Sequence, residues 1–297
     1  MNLLTLQYFN WDPVSSIQIG NFSLHIYSLM FMVAFASGIY LSKRIFASSG
    51  ENPALVDDLF VYIFIGTLLG ARLGEVFFYS WDYYQNHPLE ILLPIQENPN
   101  SSIFGFKGYE FTGFRGLASH GAFFGISASL LLFYYFKRKE LKSNLVWLFD
   151  SMSLPVIFGG AFVRIGNFFN SEIIGKPSDL PWAVKFHQQS ASYGEIVPRH
   201  PSQLYESFSY FALFGLLYLL YKSKFRNQRG FLFGVFVFGL WTIRFLVEFL
   251  KEPQGEEEIK TAVFNSGQTL SLPLMFLGAS IIMASFVLKN QNLTKKV

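Results

Sequence analysis

GGAFVRIGNFFNSEIIGKP, residues 159–177, begins as membrane sequence and ends as something else. Its first half continues an apolar run from Leu145, and Arg164, Asn167, Asn170 and Glu172 then arrive where hydrocarbon is still the expected solvent. A run of this kind reads as a spanning helix, because about 20 residues rising 1.5 Å each match a hydrocarbon core about 30 Å thick. A guanidinium inside such a helix costs at least about 2.5–3.5 kcal/mol on insertion scales, so its presence needs a reason.

The rest of the 297-residue chain repeats the first half of that pattern: 51% of residues are hydrophobic, 14% are charged and Phe occurs 36 times. Long apolar windows lie near 23–43, 58–80, 117–136, 145–167, 204–222, 230–250 and 269–289. The expected fold class is an all-α polytopic membrane protein, with seven transmembrane helices, elaborated extracytoplasmic connections and residues 1–297 as one integral-membrane domain. The first 22 residues hold no Lys or Arg and are interrupted by Asp12-Pro13, so no cleavable signal peptide is expected. The chain has no cysteine, which excludes disulfides, thiolate metal ligands and a cysteine nucleophile of its own. Neither H-E-x-x-H spacing, a G-x-S-x-G elbow nor a phosphate loop is present, so the reading includes no metal, no cofactor and no serine-esterase chemistry. No nucleic acid partner is expected.

Charge placement sets the orientation. The connections 43–57, 137–144, 221–229 and the tail from 289 carry 13 Lys and Arg, whereas 1–22, 81–116, 168–203 and 251–268 carry 7 spread over many more residues. By the positive-inside rule the N-terminus lies outside and the C-terminus in the cytoplasm. The long connections at 81–116 and 168–203 are then extracytoplasmic, and function is expected to face outward. Glycines recur within the spans, as in GTLLGARLG at 66–74, and are read as surfaces for close helix packing. Pro155 is a candidate kink in the fourth span.

With this topology Arg72, Arg164 and Arg244 fall in the outer parts of the second, fourth and sixth spans. Tyr27, His120 and Glu206 fall near the outer ends of the first, third and fifth. Arg72 has Glu75 as a candidate partner, and Arg244 has Glu248 at i, i+4. The carboxylate nearest Arg164 in sequence, Glu172, lies beyond the expected helix end. Three cations at one depth repel unless an anion joins them, and guanidinium forks match phosphate oxygens, so a phospholipid phosphate is the expected anion. His120, in GLASHGAFFG, is flanked by small residues that leave room around its ring, and its ordinary pKa of about 6.5 suits a base near neutral pH. His25, His87, His187 and His200 compete for that role.

These residues resemble one family, the phosphatidylglycerol:prolipoprotein diacylglyceryl transferases of bacterial membranes. Its signature G-R-x-G-N-F-x-N-x-E-x-x-G is reproduced from Arg164 to Gly175, with Val163 in place of the first glycine. LHIYSLM at 24–30, GARLGEVFFY at 70–79, SHGA at 119–122, PRHPSQLYE at 198–206 and RFLVEFLKEP at 244–253 follow in the family's order. There are departures. The second glycine after the histidine is Ala122, the tyrosine four residues before the second arginine is Leu240, and R-x-P-D becomes Lys251-Glu252-Pro253-Gln254. A hydrogen bond from the hydroxyl absent at Leu240 is expected to be missing or supplied elsewhere, by Trp241 or Tyr205.

The resemblance implies an enzyme that moves the diacylglyceryl group of phosphatidylglycerol onto the thiol of the lipobox cysteine in a prolipoprotein signal peptide, releasing glycerol phosphate. This is the first step of bacterial lipoprotein maturation, in the cytoplasmic (inner) membrane. It implies His120, Arg164 and Arg244 as catalytic residues. Tyr27, Arg72, Asn167, Asn170, Glu172, Gly175, Glu206 and Glu248 are the expected substrate-binding residues, from the resemblance and the intramembrane positions together. The implied partners are phosphatidylglycerol, the signal peptide and membrane lipids. Two other classes remain open from the residues alone: a transporter or channel for an anionic metabolite, and a lipid-binding scaffold without turnover.

Overall fold

The structure is a computed structural model that describes residues 8–14, 16–20, 22–103, 105–112, 118–252 and 264–294. In chain order the elements are β1 (Phe9–Trp11), β2 (Ser16–Ile19), β3 (Phe22–His25), α1 (Ile26–Ser48), α2 (Leu55–Phe78), α3 (Trp81–Tyr84), α4 (Leu89–Leu92), β4 (Ile95–Ile103), β5 (Phe106–Phe111), α5 (Ser119–Lys137), α6 (Leu145–Phe169), β6 (Val184–Phe186), β7 (Pro198–Arg199), α7 (Ser202–Lys222), α8 (Phe231–Glu248) and α9 (Ser266–Thr294). Among the described residues seven helices are long and apolar enough to cross a membrane: α1, α2, α5, α6, α7, α8 and residues 266–287 of α9. They fall on the seven expected windows, and the fold is an all-α polytopic membrane protein. Large side chains left exposed along them, such as Phe208, Leu219 and Phe276, suit a surface solvated by hydrocarbon.

The boundaries correct the sequence reading in places. The first window was expected from residue 23, but 22–25 pair with 16–19 as a hairpin, Ser16 opposite His25, and the helix starts at Ile26. It then runs to Ser48 through Lys43 and Arg44, residues with good helix propensity. Leu117, the expected start of the third span, lies outside the described residues, as do Pro253 and Gln254 of the RFLVEFLKEP landmark and its altered ending. α6 continues as helix through Pro155.

The helices sort into two compact units, divided after Gly50 and again after Leu145. The first unit holds α1 and α6–α9. Gly159 of α6 meets Ala34 of α1, Ser42 Oγ of α1 donates to Met152 Sδ of α6 at 3.7 Å, and the Phe46 and Trp147 rings lie 5.1 Å apart. Ser207 of α7 donates to the Ala161 carbonyl of α6 at 3.0 Å. Gly278 lets α9 approach the backbone of α8 at Phe238. α8 is capped from another helix, because Asp150 of α6, itself buried, accepts the Gly230 and Phe233 amides at 2.7 and 2.8 Å. Those are two of the four N-terminal amides that a helix leaves without internal partners.

A small sheet closes one end of this unit: β1 runs parallel to β6, and β7 antiparallel to β6. Its strands bring Trp11, Val184 and Phe186 against Phe168 and Ile174, with the Trp11 and Phe168 ring centroids 4.4 Å apart. The last turn of α6 thereby sits on an apolar pad.

The second unit is α2 packed along α5, with the β4–β5 hairpin beyond. Gly66, Gly70 and Gly74 of α2 face Gly121, Gly125 and Ser129 of α5, both sets at i, i+4, i+8. A Cβ on Gly70 would lie 2.7 Å from the Gly125 Cα, and one on Gly74 2.6 Å from the Gly121 Cα. The backbones are therefore in contact, and Ser129 Oγ donates across to the Tyr62 carbonyl at 2.7 Å. The packing role expected for the glycines of 66–74 is what the structure shows.

Candidate active site

The signature segment 164–175 starts as the last turns of α6 and ends as a loop. Ser171 and Ile173 both take positive φ, 52° and 59°, a region a β-branched residue such as Ile173 rarely enters. The surroundings hold it there. Ser202 Oγ donates to the Ile173 carbonyl and Gln203 Nε2 to that of Glu172, both at 2.6 Å, and Glu252 N donates to Ile174 O at 3.1 Å. Gly175 N donates to His200 O at 3.0 Å, and Lys176 N to Leu250 O at 2.8 Å. A Cβ on Gly175 would come within 2.5 Å of His200, so this site residue is a glycine for closeness of backbone.

The loop gathers side chains of α6, α8 and the segment just past α8 around one carboxylate of α7. Glu206 of α7 is fully buried, with Arg164 Nε of α6 at 2.6 Å from Oε2. Lys251 Nζ, just past α8, lies 2.8 Å from Oε1, and Arg244 Nη1 of α8 lies 3.5 Å from the same oxygen. Arg164, Arg244 and Lys251 are themselves buried. Within this unit a carboxylate of the chain, Glu206, joins Arg164 and Arg244, and Lys251, which the sequence reading did not include, is a further cation beside them. Glu248, expected opposite Arg244, receives Lys251 Nζ at 3.3 Å. Three cations against these two carboxylates leave one surplus positive charge.

A polar relay runs from the cluster along the signature. Arg164 Nη1 donates to Asn167 Oδ1 at 3.0 Å. Asn167 Nδ2 donates to Glu172 Oε1 at 2.7 Å, and Asn170 Nδ2 to the same oxygen at 3.4 Å. Glu172 therefore acts on the arginine through Asn167. Tyr27, at the start of α1, lays its ring on Gly166, where a Cβ would come within 2.9 Å of it.

The other expected residues belong to the second unit. His120 is 1% exposed at the start of α5, with the Tyr79 hydroxyl 3.4 Å from Nδ1. The space beside it at Gly121 is filled by the α2 backbone, contrary to the expected room around the ring. Arg72 holds the backbone of α4, donating from Nε to Ile91 O at 3.1 Å and from Nη2 to Glu90 O, with Tyr84 beneath its guanidinium. Glu75, expected as its partner, accepts from Ser80 Oγ at 3.2 Å.

The competing histidines have other surroundings. His25 is exposed, His87 stacks on Tyr83, His187 bonds Asn10 at 3.1 Å, and His200 contacts the Tyr205 hydroxyl at 3.2 Å. Tyr205, a candidate for the hydroxyl absent at Leu240, also accepts from Trp182 at 2.8 Å. Sequence reasoning missed Lys251, noted only as a departure, and Tyr210, buried one turn beyond Glu206 and hydrogen-bonded by Arg164. The i, i+4 spacing of Glu206 and Tyr210 was the available signal for the second.

A family model described as prolipoprotein diacylglyceryl transferase matches residues 14–284. A phosphatidylglycerol–prolipoprotein diacylglyceryl transferase of Tolumonas auensis is 37% identical over 278 residues, 94% of this chain and 97% of its own length. Proteins of the same name from Chloroherpeton thalassium and Bacteroides fragilis are 36% identical over 285 and 280 residues, each covering at least 94% of this chain. With the signature loop folded around a buried cation cluster and relatives matching nearly end to end, the chain belongs to the prolipoprotein diacylglyceryl transferase family.

Proposed function

We propose that this enzyme transfers the diacylglyceryl group of phosphatidylglycerol to the thiol of a lipobox cysteine in a prolipoprotein signal peptide, releasing glycerol phosphate. The observation that carries the residue assignment is the Glu206 cluster. Its surplus positive charge matches the single negative charge of a phosphodiester, and both guanidiniums are held in place before any lipid arrives.

In the reaction the thiol sulfur attacks a glycerol carbon of the lipid, a carbon–sulfur bond forms, and the carbon–oxygen bond to phosphate breaks with its electrons going to that oxygen. The departing glycerol phosphate gains negative charge. Arg164 and Arg244 stabilise that charge in a water-poor site, where one oriented donor is worth about 3–4 kcal/mol. Glu206 and Glu248 keep the cations oriented. Asn167 and Asn170, steered by Glu172, and Tyr27 address the headgroup hydroxyls. His120 takes the thiol proton, raising the fraction of thiolate from a group with an ordinary pKa of about 8.5, and Tyr79 orients its ring through Nδ1. Arg72 holds the backbone of α4 in the unit that carries His120.

The enzyme works as a single membrane domain in the bacterial cytoplasmic membrane. Its N-terminus is outside, its C-terminus in the cytoplasm, and its active site faces outward, a reading supported by 13 Lys and Arg on one set of connections against 7 on the other.

The test is mass spectrometry of a lipobox peptide incubated with purified protein and phosphatidylglycerol, beside the same peptide with its cysteine changed to serine. A diacylglyceryl mass gain on the cysteine peptide alone, with glycerol phosphate released, is the expected result. Lipid binding by folded protein without any mass gain overturns the transferase reading in favour of a binding or transport role.

A further inference from the structure

Arg199, on β7, is a buried guanidinium outside the Glu206 cluster. Its backbone is pinned on both sides: Val184 of β6 pairs with it, and Pro177, two residues past the signature, bridges to it. From there the side chain reaches three segments. Nη1 donates to Gly175 O at 3.4 Å and to Glu252 Oε2 at 3.1 Å, and Nη2 donates to Tyr193 O at 2.7 Å. The Tyr193 ring centroid lies 5.9 Å from the guanidinium carbon.

These contacts converge on three consecutive residues of the signature loop. Gly175 is held directly. Ile174 is held through Glu252, whose amide donates to Ile174 O at 3.1 Å, and Ile173 through Tyr193, whose hydroxyl accepts the Ile173 amide. Ile173 takes positive φ, a conformation that persists only where the surroundings over-determine it. The residue before it is Glu172, whose carboxylate takes the side-chain amides of Asn167 and Asn170. We infer that Arg199 is a positioning residue for the reaction: by bracing residues 173–175 it fixes the turn that presents Glu172 to Asn167, and through Asn167 the direction of the Arg164 guanidinium. The inference rests on the reading of Arg164 as a phosphate ligand. A lysine cannot take over this role, because an ammonium is a point charge on a flexible stem, whereas a planar fork meets all three acceptors at once.

The experiment compares wild type, Arg199→Lys and Tyr193→Phe by two readouts. One is kcat and KM in the peptide–phosphatidylglycerol assay; the other is amide hydrogen exchange of the detergent-solubilised protein, followed by mass spectrometry. Wild-type turnover is read first, so a failure of the transferase reading shows itself before any variant is judged, and the exchange readout does not depend on it. Arg199→Lys is expected to lower kcat about tenfold with the lipid KM changed less than about threefold, as for interactions that count in the transition state. Exchange over residues 171–176 is expected to rise about tenfold or more, while α6 and α7 exchange as in wild type. Tyr193→Phe keeps the ring and the carbonyl that meet Arg199 and removes only the acceptor of the Ile173 amide. It is expected to show both changes at about threefold, and it carries the test should Arg199→Lys fail to fold. Wild-type kcat in a folded variant, a fall in kcat without faster exchange in the loop, or a rise in exchange spread equally over α6 and α7 overturns the inference.

Discussion

Replacing Glu206 with Gln keeps the shape of the side chain and removes the one charge to which three buried cations are bound. At an effective dielectric of about 20, contacts of 2.6, 2.8 and 3.5 Å are each worth about 5–6 kcal/mol of Coulomb attraction. Repulsion among the cations and the cost of burying the carboxylate offset most of that sum. Removal of one partner from a buried ion pair leaves a net loss of about 3–5 kcal/mol, and this carboxylate has three partners. For a chain of this size that corresponds to a fall in Tm of about 6–20 °C. The assay is tryptophan-fluorescence melting of the detergent-solubilised protein, with turnover measured on the fraction still folded. Turnover is expected to fall at least a hundredfold, because both arginines lose the group that orients them. The double variant Glu206→Gln, Lys251→Met, which removes one charge of each sign, is expected to recover part of the lost stability. A Tm within about 3 °C of wild type would refute the charge argument, since a loss that small is under about 2 kcal/mol.

Other substitutions test separate parts of the molecule. Arg164→Ala is expected to abolish lipid transfer while folded yield falls little, and normal transfer would remove Arg164 from the site. His120→Gln is expected to lower kcat by about a hundredfold, typical of losing an acid–base group, with far less change in lipid affinity; an unchanged rate would assign the thiol proton elsewhere. Gly70→Ala forces the α2 and α5 backbones apart and is expected to destabilise by about 1–3 kcal/mol or more, visible as a lower melting temperature. Asp150→Ala leaves two α8 amides without their acceptor and is expected to cost about 1–3 kcal/mol, with the rate per folded molecule near wild type. An unaltered melt for either would show that the contact it removes contributes little.

The seven helices were legible because crossing hydrocarbon demands about 20 apolar residues in a row, a constraint local to each window. The signature was legible as a set of polar residues in the wrong solvent. The pairing between them was not, because Arg164 and Glu206 lie 42 positions apart and only the folded chain shows which carboxylate meets which cation. Arg244 and Glu248 illustrate the limit: i, i+4 spacing suggested a pair, yet a tertiary contact sent Arg244 to Glu206, and Glu248 receives Lys251 three residues on. The short strands escaped notice for a related reason. β1 gains its meaning from a parallel partner about 175 residues away, and three residues of alternation carry no periodic signal.

The first unit is interrupted in the chain by the second, and this has a consequence for biogenesis. α1 packs against α6 through Ala34, Ser42 and Phe46, yet all of residues 51–145 must be synthesised between them. At about 5–20 residues per second, translation of that insert takes roughly 5–20 s. Throughout that interval the nascent chain has no α6 for α1 to dock against, whereas α2 and α5 can zip together as soon as both are in the bilayer. The expected order of assembly is therefore inside out with respect to the sequence, the middle maturing before the first helix. Ribosome-stalled chains ending near residue 145 should hold α1 open to crosslinking by lipid probes, and chains extended past residue 210 should close it.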